Sequence, residues 1–198
     1  GVTAVAFGND RLWVGVADSV FIWDPQIKEL QFCFKLEYTY QHATCIFVDS
    51  QKQCWIGTNA GLYMKEEDKP LTSIILNEDI YGLFEDSHAN LWISARMNGL
   101  YKRETSGNFK RFRYDPQKAD NISSNQVRGI VEDNFGNLWI GTFTGLNKYN
   151  PHNDHFQVYT RDNLPGSLAH SSVFPVYKDR QGSIGCSSDV KIGAEIRL

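Results

Sequence analysis

A chain of 198 residues that is 41 % hydrophobic and 13 % aromatic has ample material for a buried core, which excludes disorder. Its formal charge of −3 lacks the basic footprint that phosphate backbones demand, so nucleic acid is excluded as an expected partner. No stretch approaches the roughly 18 apolar residues of a membrane span, and the chain opens at Gly1, inside a repeat, with neither Met nor a charged-then-apolar leader. The segment is expected to be soluble as given, without membrane contact, and to be a piece of a longer protein.

Four cysteines, Cys33, Cys45, Cys54 and Cys186, form no Cys-x-x-Cys pair and lack the density of a disulfide scaffold, so they are expected to be packed free thiols. Cys45 and Cys54 fall on two strands of one predicted hairpin. Counting back from its turn sets Cys54 opposite Val48 and Cys45 opposite Gly57, which disfavours a bridge.

In chain order, four segments align on a tryptophan: 11–15 (RLWVG), 53–58 (QCWIGT), 90–94 (NLWIS) and 137–142 (NLWIGT). Trp13, Trp55, Trp92 and Trp139 follow one another at 42, 37 and 47 residues, a period with variable loops. Asp49, Asp86 and Asp133 stand six residues before the last three, and Gly61-Leu62, Gly99-Leu100 and Gly145-Leu146 follow them. Turn signals and period-two alternation divide each unit into strands. In the fourth unit, 127–133 (VRGIVED) is a first strand, Asn134-Phe135-Gly136 a tight turn and 138–143 (LWIGTF) a second strand. Gly145 supplies a positive φ for the next reversal. Residues 146–149 form a third strand and 156–160 a fourth, and a Pro/Gly/Ser loop over 162–172 leads onward.

Four short antiparallel strands per unit of 40 to 50 residues is the pattern of a β-propeller blade, and no segment carries helical spacing. The expected fold is therefore all-β: blades at about 1–41, 42–78, 79–124 and 125–172, then a partial or degenerate fifth over 173–198, together one segment of an incomplete propeller. The fifth unit begins well at 173–179 (VFPVYKD). It then gives SIGCS at 183–187, with Gly185 in the tryptophan position, so the tail is expected to be a degenerate blade, a strand used elsewhere or foreign sequence.

The consensus Ile-x-x-Asp-x-x-Gly-Asn-Leu-Trp-Ile-Gly-Thr-x-x-Gly-Leu-x-x-Tyr resembles the two-component regulator propeller repeat. Residues 129–149 (GIVEDNFGNLWIGTFTGLNKY) match it almost without departure. The likeness runs from residue 1 to about 180, strongly in the second to fourth units and weakly in the first, where Ser19-Val20 replaces Gly-Leu. The resemblance implies the extracytoplasmic, periplasmic sensor of a hybrid two-component histidine kinase of Bacteroides-type bacteria, responding to carbohydrate breakdown products. Complete propellers of that family would use about seven blades. Four and a part leave strand edges and blade faces open, so self-association through them is expected.

Mid-strand position in every unit assigns the tryptophans to packing between blades rather than to a sugar-stacking platform. Gly57 and Gly141 fit the same account, as places where backbone or a ring comes close. The aspartates precede turns, where Asp bonds backbone amides, and lack the run of oxygens of a calcium loop. His152, Asp154 and His155 look like a metal clip, but no further His or Cys joins them, so they read as a solvated loop; neither metal nor cofactor is expected. Asn121-Ile122-Ser123 matches a glycosylation acceptor and is set aside for a bacterial protein. No phosphate loop or nucleophile motif occurs, so no catalytic residue is assigned and the chain is not expected to be an enzyme.

Strand order places the second-to-third turns and the loops leading into each blade on one face, where a ligand is expected. The candidates are Asn59, Arg96, Asn98, Phe143 and Thr144 from turns, with Met97 beside them, and Asn125, Arg128 and His170 from loops, with Gln126 and Ser171. Arg96 and Asn98 suit sugar hydroxyls or carboxylates, and Phe143 suits stacking. The expected function is non-catalytic sensing of an oligosaccharide. A glycan-active propeller lyase or hydrolase and a purely structural interaction propeller are the alternatives.

Overall fold

A computed structural model describes the protein over residues 1–36, 40–66, 69–118, 120–161, 167–168, 170–188 and 194–195. Those residues form strands and turns only. The first sheet contains β1 (Val2–Gly8), β2 (Arg11–Val16), β3 (Ser19–Asp24) and β4 (Glu29–Lys35). The second contains β5 (Ala43–Val48), β6 (Cys54–Thr58), β7 (Gly61–Lys65) and β8 (Thr72–Leu76). The third contains β9 (Ile80–Glu85), β10 (Leu91–Ala95), β11 (Gly99–Arg103) and β12 (Phe109–Phe112). The fourth contains β13 (Val127–Glu132), β14 (Leu138–Thr142), β15 (Gly145–Asn150) and β16 (His155–Tyr159). The fifth is partial, with β17 (Val173–Lys178), β18 (Ile184–Ser188) and β19 (Ala194–Glu195).

Within each sheet the strands lie in chain order, as a meander does when short reversals join antiparallel neighbours. This is the all-β, blade-by-blade architecture that the repeat implies. The expected loop over 162–172 and the tail beyond 188 fall largely outside the described residues.

The chain forms two compact units, Gly1–Glu85 and Asp86–Leu198. In the first, Trp13, Val20 and Ala4 share one buried cluster with Ile46, Cys54, Ile56 and Tyr63, which joins the first sheet to the second. In the second, Trp139 and Leu146 pack with Val173, Val176, Ile184 and Cys186 of the fifth sheet. There Trp92 stacks on Phe112 at 5.8 Å between centroids and meets the edge of Tyr149 at 5.1 Å. The four repeat tryptophans, Trp13, Trp55, Trp92 and Trp139, are buried and offer no open indole face to a sugar, while Trp23, outside the motif, is half-buried.

The alternation within β6 and β14 needs its glycines. A Cβ on Gly141 would sit 2.9 Å from the Val173 carbonyl oxygen, and one on Gly57 would sit 2.7 Å from Ile80 Cγ2. Gly145 corrects the sequence reading. It is not among the positive-φ glycines; a Cβ there would lie 2.7 Å from the Tyr159 carbonyl oxygen, so close approach of the fourth strand is what requires it.

Cys45 pairs in register with Gly57, and Cys54 with Val48; all four cysteines are free. Burial pushes the Cys45 thiol up to about 11, which leaves it an inert packed group. In the fifth sheet Gly185 pairs with Tyr177, whose ring lies over the space a Cβ on Gly185 would take.

Candidate functional site

The repeated carboxylates are placed by local turns. Asp133 Oδ1 accepts the backbone N–H groups of Phe135 and Asn137, each at 2.9 Å, while Oδ2 accepts Trp139 Nε1–H at 2.9 Å. Asp49 and Asp86 repeat the arrangement and accept the indole N–H of Trp55 and Trp92, both at 2.7 Å. One side chain thus closes the turn and satisfies the buried indole six residues on. Burial works against the charge of Asp133, but the bonds from Trp139, Asn137 and Phe135 outweigh it and hold its pKa below the ordinary carboxylate value. A carboxylate committed in this way is not an available acid or base.

Among the sequence-chosen residues, Asn59 lies in the first unit, where Oδ1 accepts His42 N–H at 3.0 Å and Nδ2 donates to the Tyr40 carbonyl at 3.2 Å. Tyr40 and His42 line a cavity of 650 Å³. The other seven lie in the second unit. The Asn98 carbonyl accepts Arg111 Nε–H at 3.0 Å, and Asn125 Oδ1 accepts Tyr114 N–H at 2.9 Å. Thr144 Oγ1–H donates to the Ser123 carbonyl at 2.6 Å. These three are therefore gathered on the stretch from β12 to β13. Arg128 instead covers the Phe174 ring at 4.2 Å, and His170 Nδ1 accepts Ser172 N–H at 3.2 Å, so both turn to the fifth sheet and its approach. Arg96 and Phe143 stay exposed on their turns.

That stretch lines two neighbouring cavities, of 740 and 520 Å³, which share Tyr114, Lys118 and Asn121 as a common wall and are together called the groove. Phe112, Ile122 and Phe156 give the larger part an apolar floor, while Ser123, Ser124 and Thr144 give the smaller part hydroxyls. Tyr114 is 47 % exposed and its backbone is tied by Asn125, which fixes an aromatic surface at the waist. Beneath it, Asn147 Oδ1 accepts Ser123 N–H at 2.8 Å, and Ser123 Oγ meets Thr142 Oγ1 at 2.8 Å, so the loop is anchored to the fourth sheet by a buried polar cluster. At the far end, hydrogen bonds from Lys110 and Tyr149 hold the Asp154 carboxyl below the ordinary value. Apolar floor, exposed ring and convergent amide and hydroxyl groups are the equipment of a small-molecule binding site. Sequence reasoning missed Tyr114 and Lys118, which lie where the repeat has no period, and weighed Asn121 only as a glycosylation acceptor; the run Lys110-Arg111-Phe112-Arg113-Tyr114 was the available signal.

Comparison with known proteins adds the family. The repeat described as two component regulator propeller matches residues 121–144, which include Asn121, Ser123, Ser124 and Thr144 of the groove. No curated protein matches the chain. Among solved structures, the extracellular domain of a hybrid two component system from B. thetaiotaomicron shares 21 % identity at a TM-score of 0.72, over 93 % of this chain and 25 % of that one. Virginiamycin B lyase from Staphylococcus aureus shares 12 % at a TM-score of 0.72, over 94 % of this chain and 62 % of that one. PorZ, a surface component of the type-IX secretion system of Porphyromonas gingivalis, shares 15 % at a TM-score of 0.69, over 93 % of this chain and 30 % of that one. At these identities the likeness is one of fold, and the chain spans a quarter to about three fifths of the structures it matches. The fold is that of β-propeller blades, and through residues 121–144 the chain carries the two component regulator propeller repeat.

Proposed function

We propose that this chain is a ligand-sensing propeller segment from the extracytoplasmic part of a hybrid two-component sensor, and that it binds an oligosaccharide without transforming it. The observation that carries the reading is the groove beside Tyr114, whose second wall belongs to the matched repeat. The likeness to the extracellular domain from B. thetaiotaomicron supports the cellular side of it. Signalling then requires that the ligand favour one arrangement of the longer protein over another, since a ligand shifts an equilibrium only by its difference in affinity for the two states.

Calorimetric titration of the chain with a panel of neutral and acidic oligosaccharides tests the reading. Saturable heat with at least one sugar is expected, and its loss in Tyr114→Ala places the sugar in the groove. Absence of binding across the panel overturns the sensing role of this segment. A lyase or hydrolase is the second reading, which the fold shared with virginiamycin B lyase accommodates. The bound sugar is expected to be recovered intact after incubation, and a cleaved product overturns the non-catalytic assignment.

A further inference from the structure

Resting on that reading, we infer that the groove is selective for acidic oligosaccharides, with a sugar carboxylate or sulfate held by Arg113 and Lys118 and a sugar ring lying on Tyr114. Charge is the first ground. Residues 101–118 hold six cations, Lys102, Arg103, Lys110, Arg111, Arg113 and Lys118, against Glu104 and Asp115, within a chain whose net charge is −3. The groove itself is lined by Lys110, Arg111, Arg113 and Lys118 against Asp115, Asp120 and Asp154, and this small excess of positive charge favours an anionic ligand.

The allocation of those cations is the second ground. Lys110 is paired with Asp154, and Lys102 stands 3.8 Å from Glu104. The Arg111 guanidinium lies 4.8 Å from the Tyr101 ring and its Nε–H is taken by Asn98. Arg113, by contrast, is exposed in the larger cavity and shows no hydrogen-bond or ion-pair partner among the described residues. Lys118 has a loose contact with Asp115 at 3.9 Å and reaches both parts of the groove. A planar guanidinium with open donors matches a carboxylate or sulfate through two parallel hydrogen bonds, and an ammonium adds an adjustable point charge. Tyr114 sits between them in sequence and at the waist in space, so charge and stacking surface adjoin.

The ligand class has a direct control in oligogalacturonate and its fully methyl-esterified form, which present the same rings with and without charge. Titration with the free acid is expected to give saturable binding that weakens with added salt, while the methyl ester binds at least tenfold more weakly. Arg113→Gln is expected to lower affinity for the acid at least tenfold and leave the melting temperature unchanged, whereas Arg180→Gln, an exposed cation outside the groove, leaves affinity as it was. A sulfated disaccharide replaces the galacturonate if only sulfate is accepted, with the same dependence on Arg113. Equal affinity for acid and ester, or binding indifferent to Arg113→Gln, overturns the charge selectivity and leaves the sensing reading standing. Silence of every sugar removes both.

Discussion

Trp139 and Asp133 belong to one unit of design, because the carboxylate that gathers the turn amides also receives the indole N–H. Where the aspartate is missing, the consequence is visible. The first sheet turns from β1 to β2 on Asn9 and Asp10, both at positive φ, and the buried Nε1 of Trp13 has no hydrogen-bond partner among the described residues. Asp133→Ala is therefore expected to cost about 3 kcal/mol by urea denaturation, since it strands a buried donor as well as opening a turn. Asp179→Ala is expected to cost about 1 kcal/mol, because among the described residues the Asp179 carboxylate holds the amides of Gln181 and Ser183 and no indole. Acid supplies a second readout of the same comparison. The folded pKa of Asp133 is depressed, so its contribution is present above the ordinary value of 3.8 and is lost as pH falls through the folded value. The stability gap between the protein and Asp133→Ala should narrow on acidification below about pH 4. The six-residue spacing was legible in the sequence, and so was the turn; the bond to tryptophan was not, because spacing along a chain says nothing of which oxygen faces which ring.

At the scale of the element, the sheets are joined by repeated clasps. Ser50 N–H and Oγ–H both donate to the Glu85 carboxylate at 2.8 Å, and Ser87 makes the equivalent pair with Glu132 at 2.8 and 2.6 Å. In each case the residue after one turn aspartate meets the residue before the next. Between the fourth and fifth sheets the same positions hold Asn134 and Lys178, which meet at 3.3 Å with the donor now on the other side. Beneath the clasp, sheets approach so closely that strand glycines become obligatory. Gly57→Ala must force a methyl between Cys45 and Ile80, and a loss of about 1–3 kcal/mol is expected from the shift in urea midpoint. Register was legible from turn counting, as the pairing of Cys45 with Gly57 shows. The role of Gly145 was not, because a glycine before a leucine reads alike whether it bends the chain or makes room for a carbonyl.

At the scale of the molecule, periodicity told where the blades are and stopped at the loops between them. The groove lies in such a loop, whose Arg113 and Tyr114 the repeat does not mark; of the residues chosen by topology, Thr144 lines it, while Asn98 and Asn125 hold Arg111 and the Tyr114 backbone. The first unit presents a second feature of this scale. Val5, Val14, Phe21 and Phe32 form one cross-strand row and Phe7, Leu12, Trp23 and Leu30 the next, with Phe7 74 % and Phe32 63 % exposed. An apolar sheet face of this extent favours association. Light scattering is expected to give a mass above the monomer, and replacing Phe7 and Phe32 together by Thr is expected to lower it; a monodisperse monomer at the outset removes the idea. The fifth sheet carries a quieter lesson. Its aromatic ring comes from Tyr177, one strand across from Gly185, the position at which its predecessors keep tryptophan. A count of blades made by tryptophan alone therefore passes over a blade whose aromatic ring stands on the neighbouring strand.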